Sequence, residues 1–138
     1  GMPGVGKSTI GKELAKKLRY DFVDLDEKIE QIENKSISEL LFLLGDKGLI
    51  SLEEKETLNL DKAEKLVISS GGSIIYSKNA MTFLKRQTVI IFLNASLIEI
   101  KKRIENFEKL TFFCSLRRTL LRFPSEMSFM QSSLYQIL

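Results

Sequence analysis

The sequence predicts an α/β fold, in which a parallel sheet is flanked by helices in a three-layer arrangement. Two observations support this prediction. Segments with apolar residues at helical spacing alternate with short, β-prone apolar segments. The β-prone segments are apolar throughout rather than alternating, which is typical of strands that are buried on both faces. A chain of 138 residues suits one domain.

The N-terminal third of the chain contains a predicted helix and a predicted strand. Ile10, Leu14 and Leu18 recur at helical spacing, which predicts a helix over residues 8–19 with these side chains on its apolar face. The following stretch, "YDFVDLD", is short and β-prone. It predicts a strand over residues 20–26 that ends in carboxylates.

Three serine–glutamate pairs mark predicted helix starts. Each has the S-x-x-E pattern of a capping box, at residues 36–39, 51–54 and 96–99. The first precedes the apolar run "LLFLL", and we expect Gly45 to end that helix. The second should open a helix that runs to about residue 65. The helix after the third pair should place Ile100, Ile104 and Phe107 on one face.

The remaining predicted elements lie in the middle of the chain. Residues 66–70 ("LVISS") should form a buried strand that is closed by a glycine pair. Residues 77–86 should form a short helix. Residues 88–94 ("TVIIFLN") give the strongest strand signal in the chain.

Composition excludes several kinds of chemistry and partner. There is no histidine and the single cysteine is Cys114, so histidine catalysis, cysteine metal sites and internal disulfides are excluded. The net charge of +3 arises from 21 basic and 18 acidic residues that are intermixed, so we expect no nucleic-acid partner. No apolar run approaches the ~20 residues of a membrane helix. We therefore expect no membrane association and a cytoplasmic location.

Composition also changes near residue 110. All lysines lie at or before Lys109, whereas residues 110–138 contain one acidic residue, Glu126, and many Phe, Ser and Leu residues. One interpretation is an arginine-bearing lid followed by a final helix. The other is a tail that did not evolve with the rest of the sequence, as after a frameshift. Both interpretations divide the chain into a core over residues 1–109 and a divergent segment over residues 110–138.

The first eight residues, "GMPGVGKS", fit the phosphate-binding pattern G-x-x-x-x-G-K-[ST] with Gly1, Gly6, Lys7 and Ser8. Glycines allow successive backbone N–H groups to converge on phosphate oxygens. The helix that follows directs its N-terminal dipole at the same anion. Lys7 supplies a positive charge, and the Ser8 hydroxyl is a ligand for Mg²⁺.

Two further segments have the chemistry of a ligand site. Asp24 and Asp26 are two residues apart, which in a strand places both carboxylates on one face at the ligand-binding end of a parallel sheet. One could hold the water shell of Mg²⁺ and the other could accept a hydroxyl proton. Gly71 and Gly72 follow a buried strand, where they either allow close approach of a ligand or form a plain turn.

Together, "GMPGVGKST", "FVDLD", "GDKGLISLE" and "SGGS" resemble the motifs of the shikimate kinase family, a group of small P-loop kinases. The four motifs occur in order and at matching separations, and the resemblance covers about residues 1–109. It implies a five-stranded parallel sheet, of which the first strand is absent from this chain. It also implies transfer of the ATP γ-phosphate to the 3-hydroxyl of shikimate with Mg²⁺, by a monomeric enzyme.

The resemblance implies roles for individual residues. Lys7 and Asp26 would be catalytic, and Asp26 would bind the accepting hydroxyl and help to remove its proton. Ser8 and Asp24 would hold Mg²⁺. The implied ATP-binding residues are Gly4, Val5, Gly6, Lys7, Ser8, Thr9 and Arg103.

The resemblance also implies how the substrate binds. Gly71 and Gly72 would present backbone N–H groups to shikimate, beside Asp26. Glu53 would occupy the position of an acidic partner for a substrate-binding arginine.

The sequence departs from the family pattern at several places. The substrate-binding arginine is replaced by Ile50, and the third glycine of the family's glycine triplet by Ser73. The lid motif is replaced by "KLTFFC". Candidate lid arginines follow at Arg117, Arg118 and Arg122, in a segment that also has the pattern of a basic amphipathic helix.

Two alternative functions remain open. One is a degenerate or truncated nucleotide-binding protein that keeps the phosphate loop and has little or no kinase activity. The other is a P-loop kinase for another small polyol or nucleotide, since a neutral acceptor needs no cation at position 50.

Overall fold

The computed structural model describes residues 4–60 and 65–103 of the chain. The helices and strands are, in order, α1 (Lys7–Leu18), β1 (Asp21–Asp24), α2 (Leu25–Glu33), α3 (Ile37–Leu58), β2 (Leu66–Ser69), α4 (Lys78–Gln87) and α5 (Leu97–Arg103), with a short 3₁₀ turn at Ile74–Tyr76. No helix in the described ranges is both long enough and apolar enough to cross a lipid bilayer.

The two described strands form a parallel pair. Asp21 lies opposite Leu66 and Asp24 opposite Ser69, and α2 and α3 make the connection between the strands. This arrangement confirms the predicted α/β fold with a parallel sheet. Of the five strands that the family resemblance implies, the described residues contain these two. Asp21 is exposed, the last residues Asp24 and Ser69 are buried, and the other strand residues are half-buried.

Helix α1 forms as predicted, and its buried residues are small. Its buried residues are Gly11 and Ala15, whereas Ile10 and Leu18 are 47% and 48% exposed. A Cβ on Gly11 would lie 2.7 Å from the Phe22 ring of β1. Small side chains therefore let the helix approach the sheet closely, although the larger apolar residues were the ones that indicated the helix.

Strand β1 is shorter than predicted because α2 begins directly after it. Asp24 ends the strand and is also the N-cap of α2, where its side chain accepts a hydrogen bond from the backbone N–H of Asp26. An aspartate in this position satisfies one of the free N–H groups at a helix start. Asp26 therefore belongs to the first turn of α2. The prediction that Asp24 and Asp26 share one face of a strand was wrong.

Helix α3 begins with the predicted capping box. The backbone N–H of Glu39 donates to the Ser36 hydroxyl at 3.2 Å, and the N–H of Ser36 donates to Glu39 Oε2 at 2.8 Å. Gly45 interrupts the helical geometry with a φ of 67°, a conformation that favours glycine. The helix resumes immediately, so Gly45 produces a kink rather than the predicted end.

The predicted helix start at residues 51–54 was wrong, because Ser51 lies inside α3. Leu49, Glu53 and Thr57 follow one another at four-residue spacing and are all buried. Burial of this face continues the helix through the serine. The helix ends at Leu58 rather than near residue 65.

The apolar core of the described residues consists of two clusters. Ile29, Leu40 and Leu49 join α2 to α3. The second cluster is built around the 3₁₀ turn and α4, and Ile68 of β2 and Ile90 pack against it. The predicted helix at residues 77–86 corresponds to α4, and the Ser77 hydroxyl caps its start by accepting from the N–H of Ala80 at 3.0 Å.

The strongest predicted strand, at residues 88–94, is not a strand in the structure. Val89 and Ile91 are 89% and 63% exposed. A strand is stabilised by its hydrogen-bonded neighbours as well as by β-propensity, and in the described part of the chain the sheet consists of β1 and β2 alone. The residues do have high β-propensity, but the prediction assumed a hydrogen-bonded neighbouring strand.

The capping box at residues 96–99 is confirmed. The N–H of Ser96 donates to Glu99 Oε2 at 2.9 Å, and the N–H of Glu99 donates to the Ser96 hydroxyl at 3.3 Å. Ile100, which was predicted to share a helix face with Ile104 and Phe107, is buried. Ile104 and Phe107 lie outside the described residues.

Candidate functional site

The phosphate-loop pattern forms a tight turn at the start of α1. Gly4 and Gly6 have φ values of 75° and 99°, in the region that side chains with a Cβ rarely adopt. Gly6 is the N-cap of α1, and its carbonyl accepts the first helical bond from Ile10 at 2.9 Å. Val5 is buried beneath the turn. The backbone therefore turns sharply at the N-terminal end of a helix dipole, which is the geometry that binds anions.

Lys7 is the first residue of α1 and lies close to three carboxylates. Burial lowers the pKa of the Lys7 ammonium group, while the negative charges of Asp26, Asp24 and Glu53 act in the opposite direction. A desolvated cation at a helix N-terminus is electrostatically unfavourable in the free protein. An anionic ligand at this place would offset that cost.

Ser8 connects the loop to the ends of both strands. Its hydroxyl donates to Asp24 Oδ2 at 2.5 Å and lies 3.4 Å from the Ser69 hydroxyl. Asp24 ends β1 and Ser69 ends β2. Three oxygen-bearing side chains thus meet at the carboxyl edge of the sheet, where open α/β sheets bind ligands.

The donor set of Ser8 and Asp24 fits Mg²⁺. Both residues supply oxygen, the donor atom that Mg²⁺ prefers, and they already lie in contact. No cluster of three or more His, Cys, Asp or Glu residues suited to a metal ion occurs within residues 4–60 and 65–103. A site with few protein ligands is what Mg²⁺ needs when phosphate oxygens and water complete its shell.

Asp26 of α2 and Glu53 of α3 both approach the glycine pair. A Cβ on Gly71 would lie 2.6 Å from Glu53 Oε1 and 2.7 Å from Asp26 Oδ1. Gly71 is itself buried. Only a residue without a side chain fits between these carboxylates, so the glycine is required here by close packing rather than by a plain turn.

Glu53 is a buried carboxylate, with 2% of its surface exposed. The Ser73 hydroxyl, which is buried to the same extent, donates to Glu53 Oε1 at 2.6 Å. This bond links α3 to the loop that follows β2. A hydrogen bond to a carboxylate stabilises its charged form in a buried environment.

The other predicted site residues are less buried, or they lie outside the described residues. Thr9 is exposed on α1, Gly72 lies in the turn after Gly71, and Ile50 is half-buried on α3. Arg103 ends α5, and its side chain lies outside the described part of the chain. Gly1 and the candidate lid arginines, Arg117, Arg118 and Arg122, also lie outside it.

Sequence reasoning missed two hydroxyl groups, those of Ser69 and Ser73. Ser69 could have been found as the last residue of a strand that runs parallel to β1. Ser73 was noticed only as a departure from a glycine triplet, because its partner, Glu53, lies 20 residues away on another element.

Comparison with known proteins gives the family. The family model described as shikimate kinase matches residues 3–136. The chain belongs to the shikimate kinase family. Two of its relatives are the shikimate kinases of Clostridium botulinum, 42% identical over 105 residues, and Clostridium beijerinckii, 39% identical over 100 residues. These matches cover 75% and 72% of this chain.

Solved shikimate kinases have a similar fold. The enzyme of Bacteroides thetaiotaomicron gives a TM-score of 0.74 at 30% identity and covers 90% of this chain. The enzyme of Acinetobacter baumannii, solved in complex with shikimate, gives a TM-score of 0.73 at 27% identity and covers 78%. The matched parts are 77% and 60% of those chains. The chain spans 61% and 59% of the length of the two Clostridium shikimate kinases.

Proposed function

We propose that this shikimate kinase family protein transfers the γ-phosphate of ATP to the 3-hydroxyl of shikimate. The observation that supports the proposal most directly is the convergence of Lys7, Ser8, Asp24 and Asp26 at the carboxyl edge of the sheet, beside Gly71. These groups come from the start of α1, the end of β1, the first turn of α2 and the loop after β2. Their arrangement suits an anionic donor on one side and a hydroxyl acceptor on the other.

The proposed nucleotide side consists of the loop from Gly4 to Thr9. Its backbone N–H groups and the α1 dipole would hold the phosphates, and the Lys7 ammonium group would balance charge on the oxygens of the transferred group. Arg103 stays a proposed contact to the nucleotide. Ser8 and Asp24 would hold Mg²⁺, which when bound neutralises phosphate charge.

The proposed acceptor side consists of Asp26 and the glycine pair. The Asp26 carboxylate would accept a hydrogen bond from the attacking hydroxyl and so orient it. The backbone of Gly71 and Gly72 would contact the rest of shikimate. We further propose that the protein acts as a monomer, and in the cytoplasm because ATP is supplied there.

A coupled assay with the full chain tests the activity. We expect shikimate-dependent release of ADP from the wild-type chain. Asp26→Asn should reduce kcat on the order of 10²-fold or more, because the general base is lost. The matched control is Glu27→Gln, which alters the neighbouring acidic residue, exposed and paired with Lys12 at 3.3 Å. This control should keep the wild-type kcat.

The nucleotide side is tested separately by calorimetry with Mg-ATP. Lys7→Ala should weaken binding strongly, whereas Lys12→Ala, an exposed lysine of the same helix, should not. A chain that binds Mg-ATP but phosphorylates no acceptor would instead be a nucleotide-binding protein without kinase activity. Transfer to a neutral polyol and not to shikimate would favour the alternative suggested by Ile50.

A further inference from the structure

The structure places a buried carboxylate behind the proposed acceptor side. Glu53 and Ser73 are each 2% exposed, and the Ser73 hydroxyl donates to Glu53 Oε1 at 2.6 Å. A buried charge is strongly unfavourable unless it is paired and hydrogen-bonded. The position of Glu53 therefore depends on donors such as this hydroxyl.

The Glu53 carboxylate lies against Gly71 but is almost inaccessible to a ligand. Its Oε1 atom and Asp26 Oδ1 lie within 2.7 Å of the same point, where a Cβ on Gly71 would be. Because the side chain is almost fully buried, a substrate would not touch Glu53 directly. An effect of Glu53 on a substrate would therefore pass through the Gly71 backbone and Asp26, which lie against it.

The Ser73 hydroxyl connects the loop after β2 to helix α3. One turn earlier on α3, the side chain at position 50 is isoleucine, which has no donor. One turn later, the Thr57 hydroxyl donates to the backbone carbonyl of Glu53 at 2.7 Å and not to its carboxylate. The Ser73 bond instead ties the carboxylate to the loop that carries Gly71.

We propose that Ser73 is a positioning residue for acceptor binding: through Glu53 it fixes the Gly71 loop against Asp26, and it has little influence on the nucleotide. The inference rests on the proposed function, because it assigns this loop to the acceptor. It concerns a residue at which this chain differs from the family's glycine triplet, and so a feature of this chain itself.

Three variants of the full chain test the inference. Ser73→Ala removes the donor, and Ser73→Thr keeps a hydroxyl. The matched control is Ser77→Ala. It also removes a serine hydroxyl that donates to a glutamate of α3, but this glutamate, Glu54, is half-buried whereas Glu53 is buried. Calorimetry then measures the affinities of shikimate and of Mg-ADP for each variant.

We expect Ser73→Ala to weaken shikimate binding by roughly ten-fold or more, as for loss of a hydrogen bond to a charged group. Mg-ADP affinity should stay within about two-fold, Ser73→Thr should restore most of the shikimate affinity, and Ser77→Ala should change neither. Unchanged shikimate affinity in Ser73→Ala, or an equal loss for both ligands, would overturn the inference.

If Ser73→Thr fails to fold, a double-mutant cycle replaces it. Glu53→Gln keeps an oxygen acceptor but removes the charge, so Ser73→Ala should cost less shikimate affinity in that background than in the wild type. Equal costs in the two backgrounds would mean that Ser73 does not act through Glu53.

A measurement without substrate separates this inference from the proposed function. If the wild-type chain binds Mg-ADP but no shikimate, the proposed function fails. The side-chain carboxyl carbon resonance of Asp26, recorded by NMR in the free protein, then decides the positioning role. It should move in Ser73→Ala and stay unchanged in Ser77→Ala, and an unmoved resonance in Ser73→Ala overturns the inference.

Discussion

At the scale of single residues, the site is defined by very close packing around Gly71. The carboxylates of Asp26 and Glu53 approach this glycine from two different helices. Glu53 cannot easily move away, because it is buried and held by the Ser73 hydroxyl. The absence of one side chain therefore determines how these two carboxylates are arranged.

Gly71→Ala is expected to disturb both carboxylates. The added Cβ would lie 2.6 Å from Glu53 Oε1 and 2.7 Å from Asp26 Oδ1, so the loop or the two carboxylates must shift. We expect a loss of about 1–3 kcal/mol in unfolding free energy from overpacking. Activity should fall on the order of 10²-fold, because a small misplacement of reacting groups is costly.

Denaturant unfolding and the coupled assay measure these two effects. Ser70→Ala, one residue earlier in the same loop, is the control and should retain both stability and activity. Wild-type activity in Gly71→Ala would show that the loop can shift without consequence for the acceptor.

At the scale of elements, helix starts were predicted well where a local pattern is sufficient. The serine–glutamate pairs at residues 36–39 and 96–99 form capping boxes, because both partners lie within one turn of the same chain segment. The identical pattern at residues 51–54 does not. There, burial of Leu49, Glu53 and Thr57 carries α3 through the serine.

Ser51→Ala should distinguish a helix interior from a cap by the sign of its effect. In the interior of α3, alanine has the higher helix propensity, so we expect a gain of up to about 0.5 kcal/mol in unfolding free energy. At an N-cap the same change would cost about 1 kcal/mol. Ser36→Ala, at a true cap, is the reference and should destabilise. A loss of stability in Ser51→Ala would contradict the continuous helix.

At the scale of the whole molecule, two hydrogen-bonded carboxylates, the exposed Glu39 and the half-buried Glu54, should contribute to acid sensitivity. The hydrogen bonds from Ser36 lower the pKa of Glu39, and those from Asn79 and Ser77 lower the pKa of Glu54, each from an ordinary value of 4.5. The unfolded chain then binds more protons than the folded one just below pH 4.5. Stability from these bonds is present above pH 4.5 and is lost as the pH falls through the lowered folded pKa values.

The expected result is a steeper loss of stability on acidification in the wild type than in variants without these donors. Ser36→Ala and Ser77→Ala should be less stable at pH 7, and their difference from the wild type should narrow as the pH falls below 4.5. Denaturant unfolding across pH 3–7 measures this. A constant difference over that range would mean that the serines contribute only as helix caps.

The sequence by itself determined the features that depend on neighbours along the chain. These are the alternation of helices and strands, the glycine turn before Lys7, two of the three capping boxes and the motifs that indicated the family. Each depends on backbone conformation or on contacts within about one helical turn, so the local pattern contains the necessary information.

Only the tertiary structure decided the features that join distant segments. It showed that α1 contacts the sheet through Gly11 and Ala15, that Asp26 belongs to α2, and that residues 88–94 are not a strand. It also brought Ser73 onto Glu53 across 20 residues of chain. Packing distances and the presence of a strand neighbour depend on several elements at once, and no local pattern specifies them.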